Sequence, residues 1–255
     1  MAPAAPTPRT ALLELVAPGE LDEDLVGLGP ALERRGLEPR GVLARELVRG
    51  AVDVTGAGLV AGRLPVVGAA LRQLGIPMPA PLDYLDAPDD VLGRRVWGCT
   101  LGAVRAGLEL RGEPVFVKPR GAAKRFTGRV VSNPVDLRSL PVRSGSTLVW
   151  CSEVLDIVAE HRVFVCQGRI AGVRQYSGEA YAEGRVVPVD EIVDSLLPRL
   201  PAGCAVDVAE LDDGRVVLVE ANDGFSLGRY GLGPDAYLGL LLARWAELTE
   251  PVRCV

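Results

Sequence analysis

The stretch Cys204–Asp223, CAVDVAELDDGRVVLVEAND, decides how this chain is read. Two apolar, β-branched runs flank Asp212, Asp213 and Gly214, which is the pattern of an antiparallel hairpin. Asp207 sits between valines in the first run. Glu220 and Asn222 are two apart in the second, so they share one face of a strand. A two-residue turn at Asp212–Asp213 places Asp207 opposite Leu218 and diagonal to Glu220; a three-residue turn with a bulge changes that register. Two carboxylates held together in an apolar hairpin repel unless a proton or a cation intervenes. With the Asn222 amide they form three oxygen ligands suited to magnesium, or to manganese, with room left for phosphates and water.

Upstream, VFVKPRGAAKRFTGRVV (115–131) reads as a strand stopped by Pro119, a loop, and another strand. It holds both lysines of the chain, Lys118 and Lys124; every other member of the 28 Lys and Arg is arginine. A lysine at a strand end followed by a glycine-containing loop suits phosphates, with the compact ammonium on the oxygens and loop N–H groups beside it. No G-x-x-x-x-G-K-[ST] loop or G-x-G-x-x-G fingerprint is present. Between the two regions, STLVWCSEV and HRVFVCQGRIAGVRQY read as strands, the latter a hairpin about Gln167–Gly168. Glu153 and Glu160 flank the link between them, where backbone groups can meet a flat base and a carboxylate can accept from ribose hydroxyls; Glu160 suits the second role. Arg162 opens a half-buried strand and calls for an anion.

The first part of the chain alternates. TALLELV, PRGVLAREL and GAGLVAG read as strands, and EDLVGLGPALERRGL and RLPVVGAALRQLGI as helices, with Pro30 a blemish in the first. This predicts a small α/β layer with a partly parallel sheet over residues 8 to about 80. The Pro-rich IPMPAPLDYLDAPDD (76–90) marks a boundary, and DDVLGRRVWGCTLGAVRAGL (89–108) follows as helix-prone sequence capped by Asp89 or Asp90. VDEIVDSLLPRL and PDAYLGLLLARWAEL read as helices. The expected organisation is an N-terminal α/β domain over 1–80, a linker helix and first subdomain over 81–149, and a second subdomain with the hairpin over 150–255.

Composition narrows the function. A net charge of −5 supplies no broad cationic face for nucleic acid. One histidine, His161, leaves no His-rich zinc cluster and argues against a Ser-His-Asp engine. The five cysteines form no C-x-x-C pair and are expected as buried thiols of a cytoplasmic protein. No secretion signal is expected in MAPAAPTPRT, and no run of about 18 apolar residues predicts a membrane span.

The motifs FVKP, SEVLD, EHRVFV, AVDVA and LVEANDG, in that order over roughly residues 90 to 235, resemble the ATP-grasp superfamily, and KRFTG and NDGFSLGRYGL resemble its small bacterial members. The resemblance implies an α/β (α+β) fold in which two α+β subdomains grip ATP behind a small α/β N-terminal domain. It implies that Lys118 contacts the α/β-phosphates and that the Arg120–Gly128 loop, with Lys124, closes over the β/γ-phosphates. Glu153 and Val154 would present the adenine-binding segment, Glu160 the ribose contact, and Arg162 would face the γ-phosphate or acyl phosphate. Asp207, Glu220 and Asn222 would hold Mg2+ or Mn2+. Typical members carry a further phosphate-binding lysine upstream; this chain has none, and Arg94, Arg95 or Arg105 is expected to replace it. The implied activity is ATP-dependent ligation of a small-molecule or peptide carboxylate to an amine through an acyl phosphate, with Lys118 and Arg162 as catalytic groups. A phosphotransferase and a non-catalytic nucleotide-binding regulator are the alternatives. One substrate is expected between NDGFSLGRYGL, near Arg229 and Tyr230, and the N-terminal layer, whose apolar surface also suits a homodimer.

Overall fold

The computed structural model describes residues 9–121, 126–142, 144–179 and 186–253. The first layer is built from strands β1 (Arg9–Ala17), β2 (Glu20–Leu21), β3 (Leu37–Leu43) and β4 (Leu59–Ala61), with helices α1 (Gly29–Arg34), α2 (Ala44–Val48) and α3 (Leu64–Gln73). β1 pairs in parallel with β3 on one side and β4 on the other, so the partly parallel sheet is present. The expected helix over residues 23–37 is broken into a single 3-10 turn at Glu23–Leu25 and α1. Pro30 is no blemish there: it lies in the first turn, where its missing N–H has no partner to lose. The second half of PRGVLAREL is helix α2 rather than strand, its start fixed by Glu46, which accepts from the Leu43 N–H at 2.8 Å.

After the Pro-rich segment come α4 (Asp89–Leu92), β5 (Val96–Thr100) and α5 (Leu101–Arg111). The stretch 89–108 is therefore not one helical run. VWGCT is a strand, and Thr100 caps the following helix by accepting from the Ala103 N–H at 3.2 Å. β6 (Val115–Pro119), β7 (Arg129–Val131), α6 (Pro134–Arg138) and β8 (Leu148–Ser152) complete a second sheet of order β5-β8-β6-β7.

The third sheet has order β10-β9-β11-β12, all antiparallel. Its strands are β9 (Ile157–Cys166), β10 (Arg169–Gly178), β11 (Gly203–Leu211) and β12 (Val216–Asp223), with α7 (Asp190–Leu196) before β11 and α8 (Pro234–Arg253) closing the chain. The β9–β10 turn has positive φ at both Gln167 (50°) and Gly168 (72°), the type I′ geometry that matches strand twist.

Alternation divides the third sheet. Val163, Val165, Cys204, Val206, Val208 and Leu218 face a core shared with α7 and Tyr84. On the other face Phe164 and Ala205 join a core with the first layer and α8, where Trp245 is 2% exposed. The rest of that second face is polar. Gly224, next after β12, packs so closely on Gly203 that a Cβ would strike the Gly203 carbonyl, and its N–H donates to that oxygen at 3.0 Å. Arg244 of α8 pairs with Asp223 through two bonds of 2.7 and 2.6 Å and fixes the end of β12. No helix among the described residues is long and apolar enough to cross a membrane.

Candidate nucleotide and metal site

The site begins as one row across the third sheet. Arg174, Arg162, Asp207 and Glu220 are Cα partners on β10, β9, β11 and β12. Asp207 is thus directly opposite Glu220, not opposite Leu218 as a two-residue turn predicts. The connection after β11 runs from Asp212 to Arg215, and the register shifts between Asp207 and Val208, which pairs with Leu218, leaving Val219 as the extra residue. Arg94 holds this irregularity, donating to the carbonyls of Leu218 at 2.7 Å and Val219 at 3.2 Å.

Within the row, Arg162 donates to both Asp207 oxygens, at 2.8 and 2.7 Å. Burial opposes the Arg162 charge, but the Asp207 carboxylate more than offsets it and holds the guanidinium above its ordinary pKa. The central guanidinium carbon lies 4.8 Å from the Tyr230 ring centre and 5.8 Å from that of Tyr176. Asn222 Nδ2 donates to Asp207 Oδ2 at 2.9 Å and Glu220 Oε1 at 3.2 Å, so all three side chains converge.

Lys118 enters from the second sheet. In VFVKP the alternation sends Val117 into the core and Lys118 to the other face, beside its cross-strand partner Trp150. Its ammonium donates to Glu220 Oε2 and contacts Asp83 Oδ1, both at 2.8 Å, and sits 4.4 Å from the Tyr84 ring centre. Burial works against this charge; Glu220, Tyr84 and Asp83 outweigh it and raise the pKa. Asp83 and Tyr84 come from the Pro-rich segment read as a boundary, and no motif marked them.

Glu160 shares the polar face of β9 with Arg162, and Tyr176 Oη donates to it at 3.4 Å. Burial raises its pKa, with Asp207 and Glu220 adding to the effect. Four carboxylates (Asp83, Glu160, Asp207, Glu220) therefore stand with two direct cations, Lys118 and Arg162. That excess of negative charge, around two carboxylates and an amide, fits a hard divalent cation. The trio has two carboxylates, and among the described residues no cluster of three or more His, Cys, Asp or Glu forms a metal site.

The remaining expected residues fall elsewhere. Glu153 follows Cys151 in the alternation, and its carboxylate accepts from the Arg95 N–H at 3.0 Å and lies 3.8 Å from the Arg95 guanidinium. With Trp97 and Cys151 it borders a cavity of about 250 Å3 on the sheet face opposite Lys118. Val154 is 42% exposed. Lys124 lies outside the described residues. Of the three arginines expected to replace the upstream lysine, Arg94 is spent on backbone carbonyls, Arg95 stacks 4.9 Å from Trp97, and Arg105 lies exposed on α5. None joins Lys118. Arg229 ties the loop after β12 to the first layer: its N–H donates to Asp24 at 2.7 Å and its Nη1 to the Val26 carbonyl at 2.8 Å. The thiols are mixed: Cys151 and Cys204 are buried, Cys99 and Cys166 half-buried, and Cys254 lies outside the described residues.

No curated protein matches this sequence. Among solved structures, D-cycloserine synthetase DcsG is similar at a TM-score of 0.63 and 16% identity, over 93% of this chain and 99% of that one. A RimK domain ATP-grasp protein from Sphaerobacter thermophilus DSM 20745 is similar at 0.54 and 20% identity, over 92% and 99%. A D-alanine–D-alanine ligase from Bacillus anthracis, in complex with ATP, is similar at 0.56 and 15% identity, over 96% and 98%. A family described as an ATP-grasp domain, the second family of its clade, matches residues 91–240, which takes in the second sheet, the whole row of charges and the start of α8. The chain belongs to the ATP-grasp family.

Proposed function

We propose that this protein is an ATP-dependent ligase that joins a carboxylate to an amine through an acyl phosphate. The observation that carries the reading is the meeting of Lys118, from one sheet, with the Arg162–Asp207–Glu220–Asn222 row of another. An ammonium and a cation-binding acid pair at that distance suit the two sides of one triphosphate. Family membership and the likeness to synthetases and ligases support it.

Asp207, Glu220 and Asn222 would hold Mg2+, or Mn2+, whose charge offsets that of the β/γ-phosphates when bound. Lys118 binds the α/β-phosphates, and Lys124 with the Arg120–Gly128 loop covers the β/γ end. The backbone at Glu153–Val154 meets the base, and Glu160 accepts from the ribose. Arg162, oriented by Asp207 and backed by Tyr230, stabilises charge on the transferring phosphoryl oxygens. The substrate carboxylate oxygen forms a bond to the γ-phosphorus as ADP leaves. The amine nitrogen then bonds to the acyl carbon, inorganic phosphate departs, and the amine proton is lost. No protein nucleophile takes part. Alignment of the reacting groups supplies up to about 7–11 kcal/mol of the acceleration in favourable cases. Tyr230 and the loop tied down by Arg229 face the first layer, where a substrate is expected.

Incubation with Mg-ATP, hydroxylamine and pooled carboxylic acids tests this. Acid-dependent hydroxamate with release of ADP and phosphate is expected. A stable phosphorylated acceptor would make the protein a phosphotransferase, and ATP binding without turnover a regulator; either result overturns the ligase reading.

A further inference from the structure

The segment from Pro77 to Pro88 does more than join two layers. Asp83, Leu85 and Asp86 all have positive φ (48°, 52° and 50°), a backbone that non-glycine residues adopt only when their surroundings hold it. The surroundings are the two sheets of the site. The Asp83 carbonyl accepts from the Ala221 N–H at 2.6 Å, between the ligand candidates Glu220 and Asn222. Its carboxylate is divided: Oδ2 accepts from Trp150 Nε1 at 2.9 Å, and Oδ1 meets the Lys118 ammonium at 2.8 Å. Tyr84 is buried behind it, edge-on to Trp150 with ring centres 5.5 Å apart.

We propose that Asp83 is a positioning residue that holds the Lys118 ammonium in the cleft for the phosphates of a nucleotide. This rests on the reading of Lys118 as a phosphate ligand. Lys118 is 8% exposed and has two carboxylate partners. Glu220 is also a candidate cation ligand, and a cation on Glu220 competes with the ammonium for its electrons. Asp83 is pinned by backbone and indole and has no such second claim. It keeps the ammonium charged and removes the rotamer freedom that a long side chain otherwise loses on binding. Because Asp83 already accepts from Trp150 and Lys118, its repulsion of a phosphate is weaker than this ordering effect.

The chain has two lysines, so lysine labelled with 13C at Cε gives two signals, assigned with Lys124→Arg. In the wild type the Lys118 signal is displaced from that of a free lysine by the Tyr84 ring, and Mg-ATP shifts it. Asp83→Asn is compatible with the backbone, since Asn also tolerates positive φ. It is expected to move the Lys118 signal towards the free-lysine position and to weaken Mg-ATP binding about tenfold by calorimetry. Trp150→Phe, which leaves Asp83 in place but unpinned, should act in the same direction and less. Unchanged or tighter ATP binding by Asp83→Asn overturns the proposal, as does weaker binding with an unmoved Lys118 signal. Failure of the wild type to bind Mg-ATP removes the parent reading and this one with it. The two failures are distinguished by the wild-type titration.

Discussion

Replacing Asp207 by Leu removes one member of the most buried ion pair of the site. Asp207 is 2% exposed, and its side chain satisfies Arg162 through two short bonds while also accepting from Asn222. The guanidinium left behind keeps aromatic neighbours and no carboxylate. Breaking such a pair from one side costs about 3–5 kcal/mol. Arg162→Met strands the carboxylate instead and should cost a similar amount. Removing both together exchanges charge for apolar volume and relieves the repulsion between Asp207 and Glu220, so the double variant should lie within about 1–2 kcal/mol of the wild type. For a chain of this length each kcal/mol is worth about 2–4 °C, so the single variants should melt roughly 6–20 °C lower. Calorimetric melts in EDTA, without nucleotide, read the four proteins on one scale. Single losses below about 1 kcal/mol, or a double variant whose loss equals the sum of the singles, would refute the argument from burial and mutual neutralisation.

Glu160, whose pKa burial raises above its ordinary 4.5, binds its proton more tightly folded than unfolded. Its contribution is fully present below the unfolded pKa and is lost as pH rises through the folded one; Glu160→Gln should therefore raise the melting temperature at pH 7 and lose that advantage towards pH 4, and a pH-independent effect would contradict this. Arg94→Met should destabilise by about 1.5–3 kcal/mol by thermal melt, because it strips a charged donor from the Leu92, Leu218 and Val219 carbonyls; a change under about 0.5 kcal/mol would deny Arg94 its hold on the bulge.

The elements of the site were legible because each carries a local pattern. VFVKP alternates and stops at proline, and Glu220 and Asn222 share a face by period two whatever they pair with. The register was not legible: Val219 resembles its neighbours, and the bulge that brings Glu220 opposite Asp207 is set by Arg94, 124 and 125 residues from the carbonyls it binds. β5 was hidden because VWGCT is five residues long, lies between two helices and contains glycine. Asp83 and Tyr84 were hidden for another reason. Proline removes periodicity, and a segment without periodicity reads as a connection even when its side chains are buried in the site. Glu153 shows the converse: its place in SEVLD was visible, but the side of the sheet its carboxylate takes depends on pairing with β5.

The account rests on Lys118 and the Asp207–Glu220–Asn222 trio gripping one triphosphate. A crystal structure with Mg2+ and a non-hydrolysable ATP analogue tests this most directly. The prediction is a phosphate oxygen within hydrogen-bond distance of Lys118 Nζ and a cation bound between that triphosphate and the three side chains. A nucleotide seated elsewhere, with Lys118 still closed on Glu220 and no cation on the trio, would contradict it.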